Sequence, residues 1–144
     1  MRISTKGRYS LEAILYMSLL PKGVYSSTRA IAGDTGISEG YLEQLFIPLR
    51  RAGIIKGIRG PQGGYLPAKP LKKITVGEIL RIVEGPLEPV DCAVKNNLCT
   101  REAKCQSRAV WKELHREITR CVDSINMADL VRAYEIMDSP EYQI

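Results

Sequence analysis

The sequence has one histidine, no cysteine pair at the two-residue spacing of a zinc knuckle, and no apolar run long enough to span a membrane. It also has no internal repeat, low-complexity tract or long linker. Each shortage removes a class of function. Structural zinc sites of the usual kind take closely spaced cysteine pairs, which are missing. Hydrolytic catalysis needs a base beside a nucleophile; the lone His115 lies in VWKELHREIT with no serine or cysteine motif near it, and reads as a helix-surface residue. Phosphate-binding enzyme loops place a glycine-rich turn at the head of a helix, whereas GPQGG lies between two strand-like segments. The first residues, MRISTKGRYS, are polar and basic, unlike a signal peptide. The expectation is a cytoplasmic protein that is not an enzyme and has no membrane partner.

With 144 residues and 44% apolar content, the chain can build one medium domain or a small domain with an attached oligomerisation element. Its charge is divided unevenly. Residues 1–73 carry twelve Lys/Arg against four Asp/Glu, a net +8, while residues 74–144 carry nine against twelve, a net −3. A basic half suits a polyanion, because cationic side chains release counterions from phosphates. The acidic half has no such bias.

Local patterns organise the basic half. GRYSLEAILYMSLLP spaces Leu11, Ile14, Leu15 and Leu19 as a helix that Pro21 and Gly23 end. SSTRAIAGDTGIS offers Ser26, Ser27 or Thr28 as an N-cap, a short apolar face, and Gly36 as a stop. Ser38 caps a third helix with Tyr41, Leu42, Leu45, Phe46 and Leu49 facing inward, Pro48 inside it as a possible kink, and Gly53 at its end. Two helices joined by a tight glycine turn form a helix-turn-helix pattern. GIIKGIRGPQGGYLPAKP follows as two strands, 54–58 and 64–68, whose glycine-rich tip carries Arg59 and Gln62. That hairpin is a wing. The partner implied is double-stranded DNA, with Ser38, Tyr41 and Gln44 near base edges, Arg50 and Arg51 on phosphates, and Arg59 and Gln62 at the wing, where an arginine can enter a narrow minor groove.

In the other half, SRAVWKELHREITRCVDSIN repeats apolar residues at helical steps through Trp111, Leu114, Ile118, Val122 and Ile125. Such a stripe needs cover. A two-fold homodimer of crossed helices supplies it and suits a palindromic operator; packing within one chain is the alternative. Ahead of the helix, DCAVKNNLCTREAKC holds Cys92, Cys99 and Cys105 at C-x6-C-x5-C spacing. This is compatible with a loop around a thiolate-rich cluster, while zinc and free thiols stay open. Lys95, Arg101 and Lys104 lie between the cysteines, where positive charge favours thiolates. Cys121 falls on the helical stripe, as a small hydrophobe.

STKGRYSLEAILYM, IAGDTGISEGYLEQLFIPLRRAGII, RGPQGGYLPAKP, ITVGEILRIVEGP and INMADL together resemble the IscR/NsrR-type family of bacterial winged-helix transcription regulators over nearly the whole chain. The resemblance implies a mostly α fold with a small β-hairpin wing: a winged helix-turn-helix over 1–85, a cysteine-rich cluster-binding loop over 86–106, and a helical dimerisation element over 107–144. It also implies an iron–sulfur cluster on Cys92, Cys99 and Cys105 that controls operator affinity. The cysteine spacing differs by one residue from the IscR form, and [2Fe–2S] is favoured over [4Fe–4S]. Where that form has a histidine after the third cysteine, this chain has Arg108, which cannot ligate iron. Some relatives borrow a ligand from the partner's first helix at positions matching Arg8 and Glu12. Glu12 is therefore the expected fourth ligand, ahead of Asp91, Glu102 and His115. The alternative is a cluster-free regulator working as a thiol switch or through a protein or small-molecule partner.

Overall fold

A computed structural model describes residues 1–95 and 99–141; residues 96–98, inside the cysteine segment, and 142–144 lie outside the described residues. Helix α1 (Thr5–Leu19) begins where the Ser4 hydroxyl accepts from the Lys6 N–H, and it buries Ser10, Ala13, Ile14 and Met17 at three- and four-residue steps. Ser27 caps α2 (Thr28–Thr35), which stops at Gly36. Ser38 caps α3 (Glu39–Arg51) and accepts from the Tyr41 N–H at 3.3 Å. Leu42, Leu45, Phe46 and Leu49 form the buried side of α3. Pro48 removes one N–H, yet the helix continues through it to Arg51.

The wing consists of β1 (Ile55–Ile58) and β2 (Gly64–Pro67), antiparallel, with Lys56 opposite Leu66 and Gly57 opposite Tyr65. Its pairing extends by one bond from the Ala68 N–H to the Ile54 carbonyl, covering the 54–58 and 64–68 segments expected from sequence. Ser26 and Tyr65 exchange both backbone hydrogen bonds, at 2.9 and 2.8 Å, which stitches the wing to the start of α2. On the opposite face the Tyr65 ring lies 4.7 Å from that of Phe46, so the wing is also fastened to α3.

One core joins these elements. Ile14, Met17, Ile31, Leu42, Phe46, Leu49, Ile54, Ile55, Ile74 and Ile79 are essentially inaccessible to water, and so is Met127, which comes from α6 (Met127–Met137). Each such side chain contributes roughly 1.5–3 kcal/mol by burial. The core thus reaches past residue 85, where the winged-helix part was expected to end.

Helix α4 (Val76–Glu84) meets α1 at Gly7 and meets α5 (Arg108–Ser124) at Gly77. A Cβ at Gly7 would overlap Glu84 and Ile3; one at Gly77 would overlap Asp123 and Val122. Both approaches are also held by polar contacts. Glu84 accepts from the Ser4 N–H (2.8 Å), the Ser4 hydroxyl (2.7 Å) and the Gly7 N–H (2.9 Å), placing a carboxylate at the positive end of α1. Arg81 and Asp123 form a two-pronged ion pair at 2.7 and 2.9 Å. A second apolar cluster of Val76, Leu80 and Leu87 takes in Ile118, Val122 and Ile125. Much of the stripe read as a dimer surface is therefore covered within the chain. The turn into α6 is locked by Val76 N–H to Ile125 carbonyl and Met127 N–H to Ile74 carbonyl bonds, both 2.9 Å, and by the Asn126/Asp129 capping box.

The Ser4 hydroxyl, backbone N–H groups of Gly7 and Ser4, and the Lys6 charge hold Glu84 below the usual carboxylate range. Glu84→Gln is expected to cost about 1 kcal/mol at neutral pH in urea unfolding. A depressed folded pKa contributes stability above the unfolded value and loses it as pH falls through the folded one. The gap between wild type and variant should therefore close on acidification. A gap that persists at low pH would show that the charge is not what Ser4 and Gly7 hold.

Candidate DNA-binding face and cysteine recess

Burying one side of α3 leaves Glu43, Gln44, Ile47, Arg50 and Arg51 exposed on the other, with Ser38 exposed at its start. Tyr41 is half-buried, its ring set edge-on to Tyr9 at 5.8 Å, so part of this expected DNA contact is committed to packing α3 on α1. Arg8 lies over the Tyr9 ring at 5.9 Å. Sequence reading missed Ile47, which is 44% exposed in the middle of the outward face. An apolar side chain there is suited to a thymine methyl. The signal was available, since Ile47 falls opposite the buried stripe. Arg59 and Gln62 are exposed at the wing tip, where the Gly63 N–H closes a turn onto the Gly60 carbonyl at 2.9 Å. Arg2, Lys6, Arg8, Arg29 and Lys56 are exposed as well. Among the described residues, Lys69 alone of the Lys and Arg in 1–73 is in an ion pair, with Glu78 at 2.6 Å.

Cys92, Cys99 and Cys105 line one small recess together with Lys95, Glu102 and Arg108. The local reason is a succession of tight turns. Glu102 N–H bonds to the Cys99 carbonyl at 3.1 Å and Cys105 N–H to the Glu102 carbonyl at 3.4 Å, around the single 3-10 turn Glu102–Lys104. These turns bring Cys99, Glu102 and Cys105 to the same small recess. Cys92 enters from another 3-10 turn, Asp91–Ala93. All four cysteines are free thiols. Cys105 sits just before α5, where the Ser107 hydroxyl, the Ser107 and Arg108 backbone N–H groups and the Arg101 charge lower its pKa and favour the thiolate.

The other fourth-ligand candidates fall differently. Glu102 lines the recess and pairs with Arg108. Glu12 is exposed on α1 and Asp91 is exposed outside the recess. His115, read as a surface residue, is half-buried, and its Nδ1 donates to the Leu87 carbonyl at 3.2 Å, fixing α5 to the segment after α4. Among the described residues no three His, Cys, Asp or Glu side chains converge closely enough for a single metal ion. Three soft sulfur donors around one recess, with Lys95 and Arg108 beside them, suit an iron–sulfur cluster in donor chemistry.

On α5, Ile118, Val122 and Ile125 turn toward α4, and the Trp111 Nε1 donates to the Ser107 hydroxyl at 3.2 Å. Val110 (59% exposed) and Leu114 (42%) are left uncovered. Cys121, expected to be buried, is exposed on the same side by helical spacing. On α6, Ile136 and Met137 are exposed too. No helix among the described residues is long and apolar enough to cross a membrane.

Comparison with known proteins agrees with this geometry. Residues 3–133 match the Rrf2 family, described as iron-dependent transcriptional regulators. The HTH-type transcriptional regulator IscR of Escherichia coli (strain K12 / DH10B) is 36% identical over 138 residues, 96% of this chain and 85% of its own. The structure of T. potens IscR matches with a TM-score of 0.77 at 33% identity, covering 96% of this chain and 92% of that one. CymR, the global cysteine regulator of B. subtilis, matches with a TM-score of 0.76 at 34% identity, covering 92% and 98%. With a helix-turn-helix, a wing and likeness along nearly its full length, the chain belongs to the Rrf2 family of DNA-binding transcriptional regulators and is not an enzyme.

Proposed function

We propose that this protein is a cytoplasmic homodimeric regulator whose affinity for a palindromic operator follows the state of an iron–sulfur cluster on Cys92, Cys99 and Cys105. The observation that carries the reading is the meeting of those three cysteines in one recess at the head of α5. When bound, the cluster supplies a centre sensitive to oxidation, nitric oxide and iron supply. The chain's own part is to present three thiolates, to offset negative charge with Lys95 and Arg108, and to tie the recess to α5. Residues 1–85 read DNA, 86–106 hold the cluster, and 107–144 dimerise. A [2Fe–2S] centre is favoured, and its fourth ligand is a carboxylate: Glu12 reaching across from a second chain, or Glu102 from within the recess. With Cys92, Cys99 and Cys105 no longer held together, the segment before α5 would be freer, and the population of dimers whose recognition helices match the operator spacing would shift.

A second reading rests on the free thiols and the thiolate-favouring surroundings of Cys105. In it the same fold works without a cluster, as an oxidant-sensitive thiol switch. The similarity to CymR accommodates this reading equally.

Anaerobic purification separates the two. The cluster reading expects a coloured protein with stoichiometric iron and sulfide, and Ser at Cys92, Cys99 or Cys105 should each remove or badly destabilise the chromophore. A colourless wild type whose DNA binding responds to oxidant supports the thiol switch instead. If the wild type is coloured, Glu12→Ala and Glu102→Ala identify the carboxylate by which one alters the spectrum or reduction potential.

Gln44 should read a base, since its amide can bond adenine in two places, while Arg50 should hold a phosphate. Gln44→Ala is expected to relax sequence preference, costing ~1–3 kcal/mol on the best site. Arg50→Ala should weaken all duplexes alike and flatten the salt dependence by about one unit. Equal loss of specificity from both, in fluorescence anisotropy, counts against the assignment.

Replacing Ile118 or Val122 would disturb the contact with α4, so the uncovered Leu114 is the position that tests the dimer. Leu114→Glu should place an unpaired charge in the interface and weaken association by about 3 kcal/mol or more, while leaving the monomer fold intact. Sedimentation should then show monomers with wild-type circular dichroism; an unchanged dimer would place the interface elsewhere.

A further inference from the structure

A cavity of about 600 Å³ opens on the side of the wing away from α3, well apart from the cysteine recess. Its walls are the end of α1 (Met17, Leu20), the Pro21–Val24 turn, the paired wing residues Lys56 and Leu66, and the Pro67–Leu71 segment. The volume lies within the range of about 300–1,000 Å³ that small-molecule sites occupy.

Three observations define what it would accept. The lining is mostly apolar, from Met17, Leu20, Val24, Leu66 and Leu71 among others. The ionisable residues in it are lysines: Lys22, Lys56 and Lys69, with no Asp or Glu. Lys69 is held by Glu78 at 2.6 Å, whereas Lys22 and Lys56 are exposed and, among the described residues, in no ion pair. A greasy cavity with two uncommitted ammonium groups complements a small amphipathic anion, with an apolar body for the walls and one carboxylate for the lysines.

The location gives such a ligand leverage on DNA binding. Lys56 and Leu66 are cross-strand partners in the wing, and their neighbours Gly57 and Tyr65 face the other way, with Tyr65 on Phe46 of α3. A molecule held between the end of α1 and this hairpin bears on the angle of the wing. We propose that the cavity is an effector site for a small amphipathic carboxylate, which alters operator affinity by setting the position of the wing. By linkage, operator DNA then changes affinity for the carboxylate by the same factor as the carboxylate changes affinity for DNA. This site requires no cluster and is independent of the reading of the cysteines.

Octanoate titrated into isotopically labelled full-length protein is the test, with octan-1-ol and inorganic phosphate as controls. Saturable amide shifts centred on Val24, Lys56, Leu66 and Leu71 are expected with octanoate. Octanol, lacking the charge, should bind several-fold more weakly, and phosphate, lacking the apolar body, should not produce the shifts. Lys22→Gln and Lys56→Gln should each weaken octanoate by about two- to fivefold, and Lys→Arg should restore most of it. Ala68→Trp should fill the cavity and abolish the shifts, with circular dichroism showing that the fold is retained. Operator affinity measured with and without octanoate should differ in wild type and not in Ala68→Trp. Absence of saturable shifts, equal binding of octanol, indifference to both lysine changes, or phosphate giving the same shifts through bare lysine contacts would each overturn the proposal. So would operator affinity that octanoate leaves unchanged.

Discussion

Helix α4 lies against α1 and α5 where Gly7 and Gly77 leave room for the side chains of Glu84, Ile3, Asp123 and Val122, and much of the architecture rests on that closeness. At one approach Glu84 reaches the first turn of α1; at the other Arg81 grips Asp123. Backbone proximity makes these polar contacts short, and the contacts in turn fix how the helices sit. Were either helix pair spread by a methyl group, Val76, Leu80 and Leu87 would lose part of their cover from Ile118, Val122 and Ile125. A small, nine-residue helix thus sets the relation between the basic half of the chain and the helix that begins at the cysteines.

The same contacts form a continuous packed route. Cys105 Sγ lies 3.5 Å from the hydroxyl of Ser107, the residue that precedes α5; α5 is tied to α4 by Arg81 and Asp123; α4 is tied to α1 by Glu84; and Tyr9 of α1 packs on Tyr41 of α3. Such continuity does not by itself measure coupling. It does mean that a rearrangement at the recess meets rigid elements at every step toward the recognition helix, with no slack linker among the described residues to absorb it.

Local chemistry in the sequence accounts for most of the winged-helix half. Ser27 and Ser38 cap because serine hydroxyls satisfy free N–H groups, Gly36 stops α2 because it tolerates a left-handed backbone, and the wing follows from strand-like residues around a glycine-rich tip. The cysteine grouping was visible as composition. What escaped the reading depends on tertiary placement. The placing of Glu102 in the recess with Cys99 and Cys105 depends on tight turns around Glu102–Lys104 that residue types alone do not announce. His115 looked like a surface residue because its acceptor, the Leu87 carbonyl, is 28 positions away. The stripe on α5 was correctly periodic, but periodicity cannot say how much of an apolar face a helix earlier in the same chain will cover. Pro48 gives up one N–H inside α3 without ending the helix, which runs on to Arg51.

The burial of Met127 has a consequence for how the protein is made. Synthesis runs from the N-terminus, so the basic, DNA-facing segments leave the ribosome first, while a fully buried side chain of their own core arrives close to the end. The Glu84 carboxylate that caps α1 likewise arrives 80 residues after Ser4. Contacts so distant in sequence form late, because the loop between them must close before they can contribute. A nascent chain interrupted after the wing would lack both, and its recognition helix would have no finished platform beneath it. The DNA-binding elements thus depend for a finished core on a residue near the other end of the chain.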